Sequence, residues 1–159
     1  KEHYDYIIGL CAGANLAVDL AVEDPYEKIV LISPLFKFKP NFLGQTWTFL
    51  LPIIDLFYPY YLKKPQPYKG LIAYDILPLR NLYDLGRYNR RTLRKLKQVS
   101  CPTLIVFGEA DDLYRPGLPD ELNRMIPGSK LYIHPKGQHV LTMIEDKEKI
   151  FKKIADFLL

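Results

Sequence analysis

Four short apolar runs, rich in isoleucine and valine, constrain the fold of this chain more than any other feature. Glycine, proline or serine bounds these runs, as is usual for buried strands, and they cover residues 4–9, 28–33, 103–108 and 130–134. Helical patterns lie between and after them, at residues 13–23, 120–125 and 150–158. Because strands and helices alternate along the chain, the pattern predicts an α/β fold in which helices flank a parallel sheet.

The segment between the second and third runs departs from this alternation. Residues 35–97 are rich in proline and aromatic side chains and contain no further strand pattern. A plain connection needs only about 2–6 residues, so we expect an inserted, mostly helical cap between two parts of one core, at residues 1–34 and 98–159. The last part of the insertion, residues 82–97, predicts an amphipathic basic helix or a pair of helices with a solvated face of lysine and arginine.

Composition argues against several classes of protein. The net charge of +4 over 159 residues is too small and too dispersed to indicate nucleic-acid binding. Two cysteines form no disulfide framework and no signal-peptide pattern opens the chain, so we expect a cytoplasmic protein. The most apolar window, residues 42–62, contains Gln45, Asp55 and two prolines, so we expect no membrane-spanning helix. The three histidines lack the spacing of a zinc site, and no metal is expected.

The position of the first strand has a consequence for partners. If the strands pair in chain order, the strand at residues 4–9 is an edge with apolar side chains, which is an aggregation hazard unless it is covered. We therefore expect either a second copy of the chain or a complementary preceding segment at this edge.

A glycine-flanked cysteine follows the first strand. Gly9, Cys11 and Gly13 form the pattern G-x-C-x-G between a strand and a helix, which is the pattern of a nucleophile elbow with cysteine in place of serine. The sharp turn needs small flanking residues, and the helix N-terminus favours a thiolate on Cys11. The backbone N–H of Ala12 would form one half of an oxyanion hole. The alternative is that Cys11 is only a small buried residue in a tight turn.

An acid and a base follow the third and fourth strands. Three carboxylates, Glu109, Asp111 and Asp112, lie just after the strand at 103–108, and His139 lies in the loop after the strand at 130–134. Side chains at these strand ends meet at one edge of a parallel sheet. The chain order of nucleophile, acid and base is that of an α/β-hydrolase triad. His134 is a weaker candidate for the base, and Cys101 is expected to be packing only.

Three segments together carry a resemblance to a known family. The segments IIGLCAGANLA, SCPTLIVFGEADDLYRP and GQHVLTM resemble the carboxyl-terminal part of α/β-hydrolases of the carboxylesterase and monoacylglycerol-lipase group. The resemblance spans nearly the whole chain. It implies a catalytic triad of Cys11, Asp111 and His139 that works without a cofactor, with Asp112 as the alternative acid. It also implies a cap whose aromatic side chains line an acyl site; the candidates are Trp47, Phe57 and Tyr61.

The chain departs from the family in three respects. Cys11 replaces the usual serine, as in dienelactone hydrolases and polyhydroxyalkanoate synthases, and Gln138 replaces the glycine that usually precedes the histidine. The strands and the second oxyanion donor that precede the elbow in the family are not in this sequence. We expect a hydrolase of carboxylic esters or thioesters that forms an acyl-enzyme. The alternatives are a cysteine-dependent acyltransferase and a non-catalytic binding module with this fold.

Overall fold

The computed structural model describes residues 4–36, 51–57, 60–62 and 76–159. In chain order the strands are β1 (Tyr6–Leu10), β2 (Lys28–Ile32), β3 (Tyr60–Leu62), β4 (Ile76–Pro78), β5 (Thr103–Gly108) and β6 (Lys130–His134). The helices are α1 (Ala12–Glu23), α2 (Leu51–Phe57), α3 (Leu79–Lys95), α4 (Leu118–Met125) and α5 (Lys147–Leu158). Two single 3₁₀ turns, Leu96–Gln98 and Leu141–Met143, follow α3 and precede α5.

The predicted parallel sheet is confirmed. Four strands pair in the order β1-β2-β5-β6, and every pair is parallel. These are the four apolar runs of the sequence, with β1 shifted towards the elbow by one or two residues. Since all four strands run in one direction, their carboxyl ends meet at one edge of the sheet, where α/β folds place their sites.

Helices cover both faces of the sheet. On one face, α1 packs through small side chains (Ala14, Ala17, Ala21) against a cluster that also contains Leu118 and Leu122 of α4. On the other face, α5 places Ile150 and Ile154 against inner residues of β2 and β5. Both central strands are therefore buried on two sides, which is why they read as continuous apolar runs in the sequence.

The described parts of residues 35–97 differ in two ways from the expected helical cap. The strands β3 and β4 form a short antiparallel pair that matches Tyr61 with Leu77, so the expectation of no strand in this segment is wrong there. The helix α3 starts before the predicted residue 82, and its second half packs against α1. In that interface Thr92 Oγ1 donates to Asp19 Oδ2 at 3.2 Å, and Lys95 Nζ lies 2.8 Å from Asp19 Oδ1. The domain boundaries themselves stay a prediction.

The first strand is an edge strand of this sheet, as the chain order predicts. Ile8 is 53% exposed and Tyr6 is 39% exposed, although both belong to an apolar strand. Among the described residues, none therefore covers this apolar surface next to the elbow completely. Among the helices that the structure describes, none is long and apolar enough to span a membrane.

Candidate active site

Cys11 forms a sharp turn between the last residue of β1 and the first residue of α1. Its backbone has φ 56° and ψ −122°, a conformation that side-chain-bearing residues rarely adopt. The N–H of Cys11 donates to the carbonyl of Ile32 at 2.9 Å, which ties the turn to the neighbouring strand. Strained residues of this kind persist only where the surrounding structure holds them, and they concentrate at functional sites.

The two flanking glycines differ in how much the turn needs them. A Cβ on Gly9 would lie 2.5 Å from Ala14 Cα and 2.5 Å from the carbonyl oxygen of Gly13. A Cβ on Gly13 would meet nothing within 4 Å. The expectation that both flanks must be small is therefore right for Gly9 and wrong for Gly13.

Ala12 is the first residue of α1. Its N–H belongs to the first turn, so no carbonyl of the helix can accept from it. No side chain caps this helix end. The N–H is therefore placed beside Cys11 with no helical partner, as an oxyanion donor would have to be; that role stays a prediction.

The loops after β5 and β6 are bound to each other. Ala110 N donates to the carbonyl of Gly137 at 2.8 Å, and Glu109 N donates to the carbonyl of His134 at 3.0 Å. A Cβ on Gly108 would collide with the backbone of Gly137. The absence of a side chain at Gly108 thus allows the loop that carries Asp111 to lie against the loop that carries His139.

This contact brings the predicted acid and base together. His139 Nδ1 lies 2.7 Å from Asp111 Oδ2, and the two side chains are only 11% and 1% exposed. The other carboxylate oxygen of Asp111 accepts from Leu113 N at 2.9 Å. Asp112 is exposed. Of the two candidate acids, Asp111 is therefore the one that contacts the histidine.

Several opposing effects act on His139. Burial lowers the pKa of its imidazole. The hydrogen bond that His139 Nδ1 donates to Asp111, an interaction with the Cys11 side chain and the charges of both groups outweigh burial and raise the pKa from 6.5 to about 9. The remaining ring nitrogen, Nε2, is buried and has no hydrogen-bond partner among the described residues. The thiol is thus a neighbour of the imidazole without a fully formed hydrogen bond, which is common in unliganded catalytic sites.

The alternative base, His134, has a different environment. Its side chain is buried at the end of β6, with Nδ1 at 3.1 Å from the Tyr132 hydroxyl and Nε2 at 3.0 Å from Asp146 Oδ1. Both ring nitrogens are therefore occupied by groups outside the Cys11 turn. Cys101 is buried and unpaired, and burial raises the pKa of its thiol.

Sequence reasoning missed one residue that supports the acid. Tyr114 donates its hydroxyl to the carbonyl of Gly108 at 3.0 Å, and its ring packs edge-on against Phe107 at 4.7 Å between centroids. The sequence alone does not indicate this role, because an aromatic residue six positions after a strand is recognised as a support of the loop only once the loop geometry is known.

Of the three predicted acyl-binding side chains, the structure describes only that of Phe57. Phe57 is the last residue of α2 and is 70% exposed. Tyr61 lies in β3, and Trp47 falls outside the described residues. A cavity of about 290 Å³ opens beside Asp111 and includes Glu109, Tyr114, Asp120 and Ile133 in its wall, but neither Cys11 nor His139. No cluster of three or more potential metal ligands occurs in the part of the chain that the structure describes.

Comparison with known proteins relates this geometry to one fold. No protein-family model matches the chain. Among curated proteins, the human "Serine hydrolase BPHL" is 41% identical over 64 residues, which is 40% of this chain and 21% of that protein. The mouse protein of the same name is 38% identical over 63 residues, again 40% and 21% of the two chains. The match thus spans about a fifth of the curated relatives.

Solved structures match over most of the chain. One of two metagenome-derived lipolytic enzymes, LipS and LipT, superposes with a TM-score of 0.74 at 23% identity, over 96% of this chain and 63% of its own. A monoacylglycerol lipase from Paleococcus ferrophilus gives 0.78 at 15% identity, over 96% and 67%. The monoglyceride lipase from Saccharomyces cerevisiae gives 0.73 at 14%, over 96% and 64%. The chain thus spans about two thirds of their length, and it has the α/β-hydrolase fold.

Proposed function

We propose that the protein hydrolyses carboxylic esters or thioesters through an acyl group held covalently on Cys11. The observation that carries this proposal is the position of His139, which is hydrogen-bonded to Asp111 at 2.7 Å and neighbours Cys11 at the strained turn. The serine-hydrolase and lipolytic relatives support the substrate class. They carry no information on a cysteine nucleophile.

Acylation starts from the charges that the site favours. With a pKa of about 9, His139 holds a proton near neutral pH, and the thiolate, which is the nucleophilic form of a cysteine, reacts beside this imidazolium. The thiolate attacks the carbonyl carbon, and the N–H of Ala12 donates to the oxyanion that forms. The carbon–oxygen bond to the alcohol, or the carbon–sulfur bond of a thioester, then breaks. His139 Nε2 gives its proton to the leaving group, and Cys11 carries the acyl group as a thioester.

Deacylation reverses these roles. The imidazole of His139, now neutral, takes a proton from water, and the hydroxide equivalent attacks the thioester carbonyl. Cys11 leaves as a thiolate, the acid is released, and the ion pair is restored. Asp111 holds the ring so that Nε2 faces the reaction and stabilises the imidazolium.

The choice of cysteine keeps acyl transfer open as a second function. A thiolate leaves a tetrahedral intermediate more readily than an alkoxide does, so a cysteine in a site shaped for oxygen often weakens ester hydrolysis. An acyl thioester on Cys11 can then persist until another nucleophile accepts the acyl group. The third possibility, a non-catalytic module, requires that Cys11 not be acylated at all.

The test is intact-mass spectrometry after brief exposure to p-nitrophenyl acetate. We expect an acetyl adduct on Cys11 that is lost in Cys11→Ala and retained in the matched control Cys101→Ala, because burial keeps Cys101 from reacting. Decay of the adduct in water supports a hydrolase. Decay only after addition of an alcohol or thiol acceptor supports a transferase. The absence of any Cys11 adduct in folded protein would overturn the proposal.

We further propose that a strand from outside the described residues pairs with β1, and that the protein works in the cytoplasm. Two unpaired cysteines support the cytoplasmic location.

The exposed Ile8 on the β1 edge and the greater length of the matched structures support the pairing of a further strand with β1. This strand comes either from a second copy of the chain or from a preceding segment, and light scattering distinguishes the two. A dimer that Ile8→Lys dissociates supports the second copy, and a stable monomer at high concentration excludes it.

A further inference from the structure

A buried polar cluster lies behind the nucleophile turn and plays no part in the proposed chemistry. The side-chain amide of Asn15 donates to Asn89 Oδ1 at 2.6 Å and to the carbonyl of Leu35 at 3.2 Å. Asn89 Nδ2 also donates to the carbonyl of Leu35, at 2.5 Å. All three residues are buried, with 0%, 2% and 6% exposure for Asn15, Asn89 and Leu35. We refer to these three residues as the asparagine clasp.

The clasp connects three separate parts of the chain. Asn15 lies in the first turns of α1, four residues after Cys11, and Asn89 lies in α3. Leu35 follows β2, just before the chain leaves the described core. The hydrogen bonds therefore join the helix that begins at the nucleophile to both ends of the segment 36–88.

Stability alone does not account for these asparagines. Burying an amide costs free energy unless all its polar atoms are hydrogen-bonded, and Asn15 Oδ1 has no partner among the described residues. A partly satisfied buried network is usually worse than apolar packing of the same volume. What such a network does provide is one defined arrangement of the elements that it joins.

The first turn of α1 needs such an arrangement. Its N-terminus has no side-chain cap, and Cys11 is held at φ 56°. Gly9 allows the strand to approach Ala14, and the N–H of Cys11 ties the turn to β2. The asparagine clasp adds a restraint from α3 and from the segment after β2.

We propose that Asn15 and Asn89 are positioning residues that set the orientation of α1 and thereby hold the Cys11 thiol against His139. This inference deepens the proposed function and depends on it for its meaning, but its central measurement does not require ester hydrolysis. A misplacement of about 1 Å at a reacting group can cost on the order of 100-fold in rate. We therefore expect loss of the clasp to slow the alkylation of Cys11 by on the order of 10-fold to 100-fold while the protein stays folded.

The experiment measures the rate of Cys11 alkylation by iodoacetamide against pH, in wild type, Asn89→Ala and Asn15→Ala. The matched control is Thr92→Val, which removes the hydrogen bond to Asp19 from the same α1–α3 interface, further from Cys11. We expect both asparagine variants to react more slowly and with an altered pH profile. We expect Thr92→Val to lower stability without changing the profile.

The outcomes separate the clasp from the proposed function. Wild-type profiles in the asparagine variants, or an equal change in Thr92→Val, would overturn the positioning role. If the alanine variants do not fold, the paired substitution Asn15→Leu with Asn89→Leu replaces them, since it removes the polar groups but keeps volume. A Cys11 profile that is unaffected by His139→Gln in otherwise wild-type protein would instead contradict the proposed function.

Discussion

Replacing the carboxylate of Asp111 with an amide tests the central pair of the site. Asp111→Asn keeps the size of the side chain but removes one of the two groups, Asp111 and Cys11, that together raise the pKa of His139 from 6.5 to about 9. Burial, which lowers this pKa, would then be compensated less. We expect the pKa of His139 to fall from about 9 towards 6.5, so that less imidazolium remains near neutral pH.

The same change has a calculable effect on stability. The pKa of His139 is about 9 in the folded chain and 6.5 in the unfolded chain. At about 1.36 kcal/mol per pH unit, this difference adds about 3 kcal/mol to the free energy of unfolding while the imidazole is protonated. Because the folded-state pKa is the higher one, this stability is fully present below pH 6.5 and is lost as the pH rises through 9. His139 is only 11% exposed, so solvent screens the interaction little. Because Cys11 supplies part of this shift, we expect the free energy of unfolding of wild type to exceed that of Asp111→Asn by less than about 3 kcal/mol near pH 6. We expect this pH-dependent part of the difference to disappear at high pH.

The assay combines two measurements with one control. NMR of the histidine side chains follows the titration, with His139→Gln to assign the signal, and urea unfolding at several pH values gives the stability. The control is Asp112→Asn, the exposed neighbouring carboxylate. If Asp111→Asn leaves the His139 pKa near 9, or if Asp112→Asn lowers it as much, the assignment of the acid is wrong. For turnover, a lost orienting carboxylate typically costs about 10⁴-fold in kcat.

Three further experiments test the backbone of the site. Gly9→Ala should destabilise the protein by about 1–3 kcal/mol because its Cβ would clash with Ala14. Gly13→Ala should be neutral or slightly stabilising because its Cβ would meet nothing. Equal effects of the two substitutions in urea unfolding would refute the turn geometry. Cys11→Gly should raise the free energy of unfolding by roughly 1–3 kcal/mol in the same assay, since glycine tolerates φ 56°. The variant should also lose acetylation by the activated ester. A lower free energy of unfolding would show that the turn is not strained. Gly108→Ala should separate the loops that carry Asp111 and His139 and so lower the pKa of His139, as measured by NMR. The control Gly86→Ala, on an open part of α3, should leave this pKa unchanged. An unchanged titration in Gly108→Ala would contradict the role of this loop contact.

Local patterns in the sequence were sufficient for the fold and for the position of the candidate nucleophile. The four strands lie within two residues of the apolar runs; for the two central strands the reason is that a strand buried on both faces must be apolar along its whole length. Cys11 follows from its glycine-flanked position between a strand and a helix, although only Gly9 is sterically required there. The antiparallel pair β3 and β4 was missed because three-residue strands have too few positions to show a periodicity.

The choice between neighbouring candidates required the tertiary structure. Asp111 and Asp112 are adjacent and chemically identical in the sequence, and only the contact between the loops after β5 and β6 turns one of them towards His139. His134 was a reasonable base until its two nitrogens were seen to be occupied.

The same limit applies to the asparagine clasp and to Gly108. Asn15 and Asn89 are separated by 74 positions, and no pattern in the sequence relates one to the other. In the sequence Gly108 is an ordinary end of a strand, and only the folded chain places the backbone of Gly137 against it. The sequence by itself determined which segments become strands and helices and which edge of the sheet carries the chemistry, because those properties depend on neighbours along the chain. The tertiary structure decided which side chains meet there, because that depends on residues that only folding brings within contact distance.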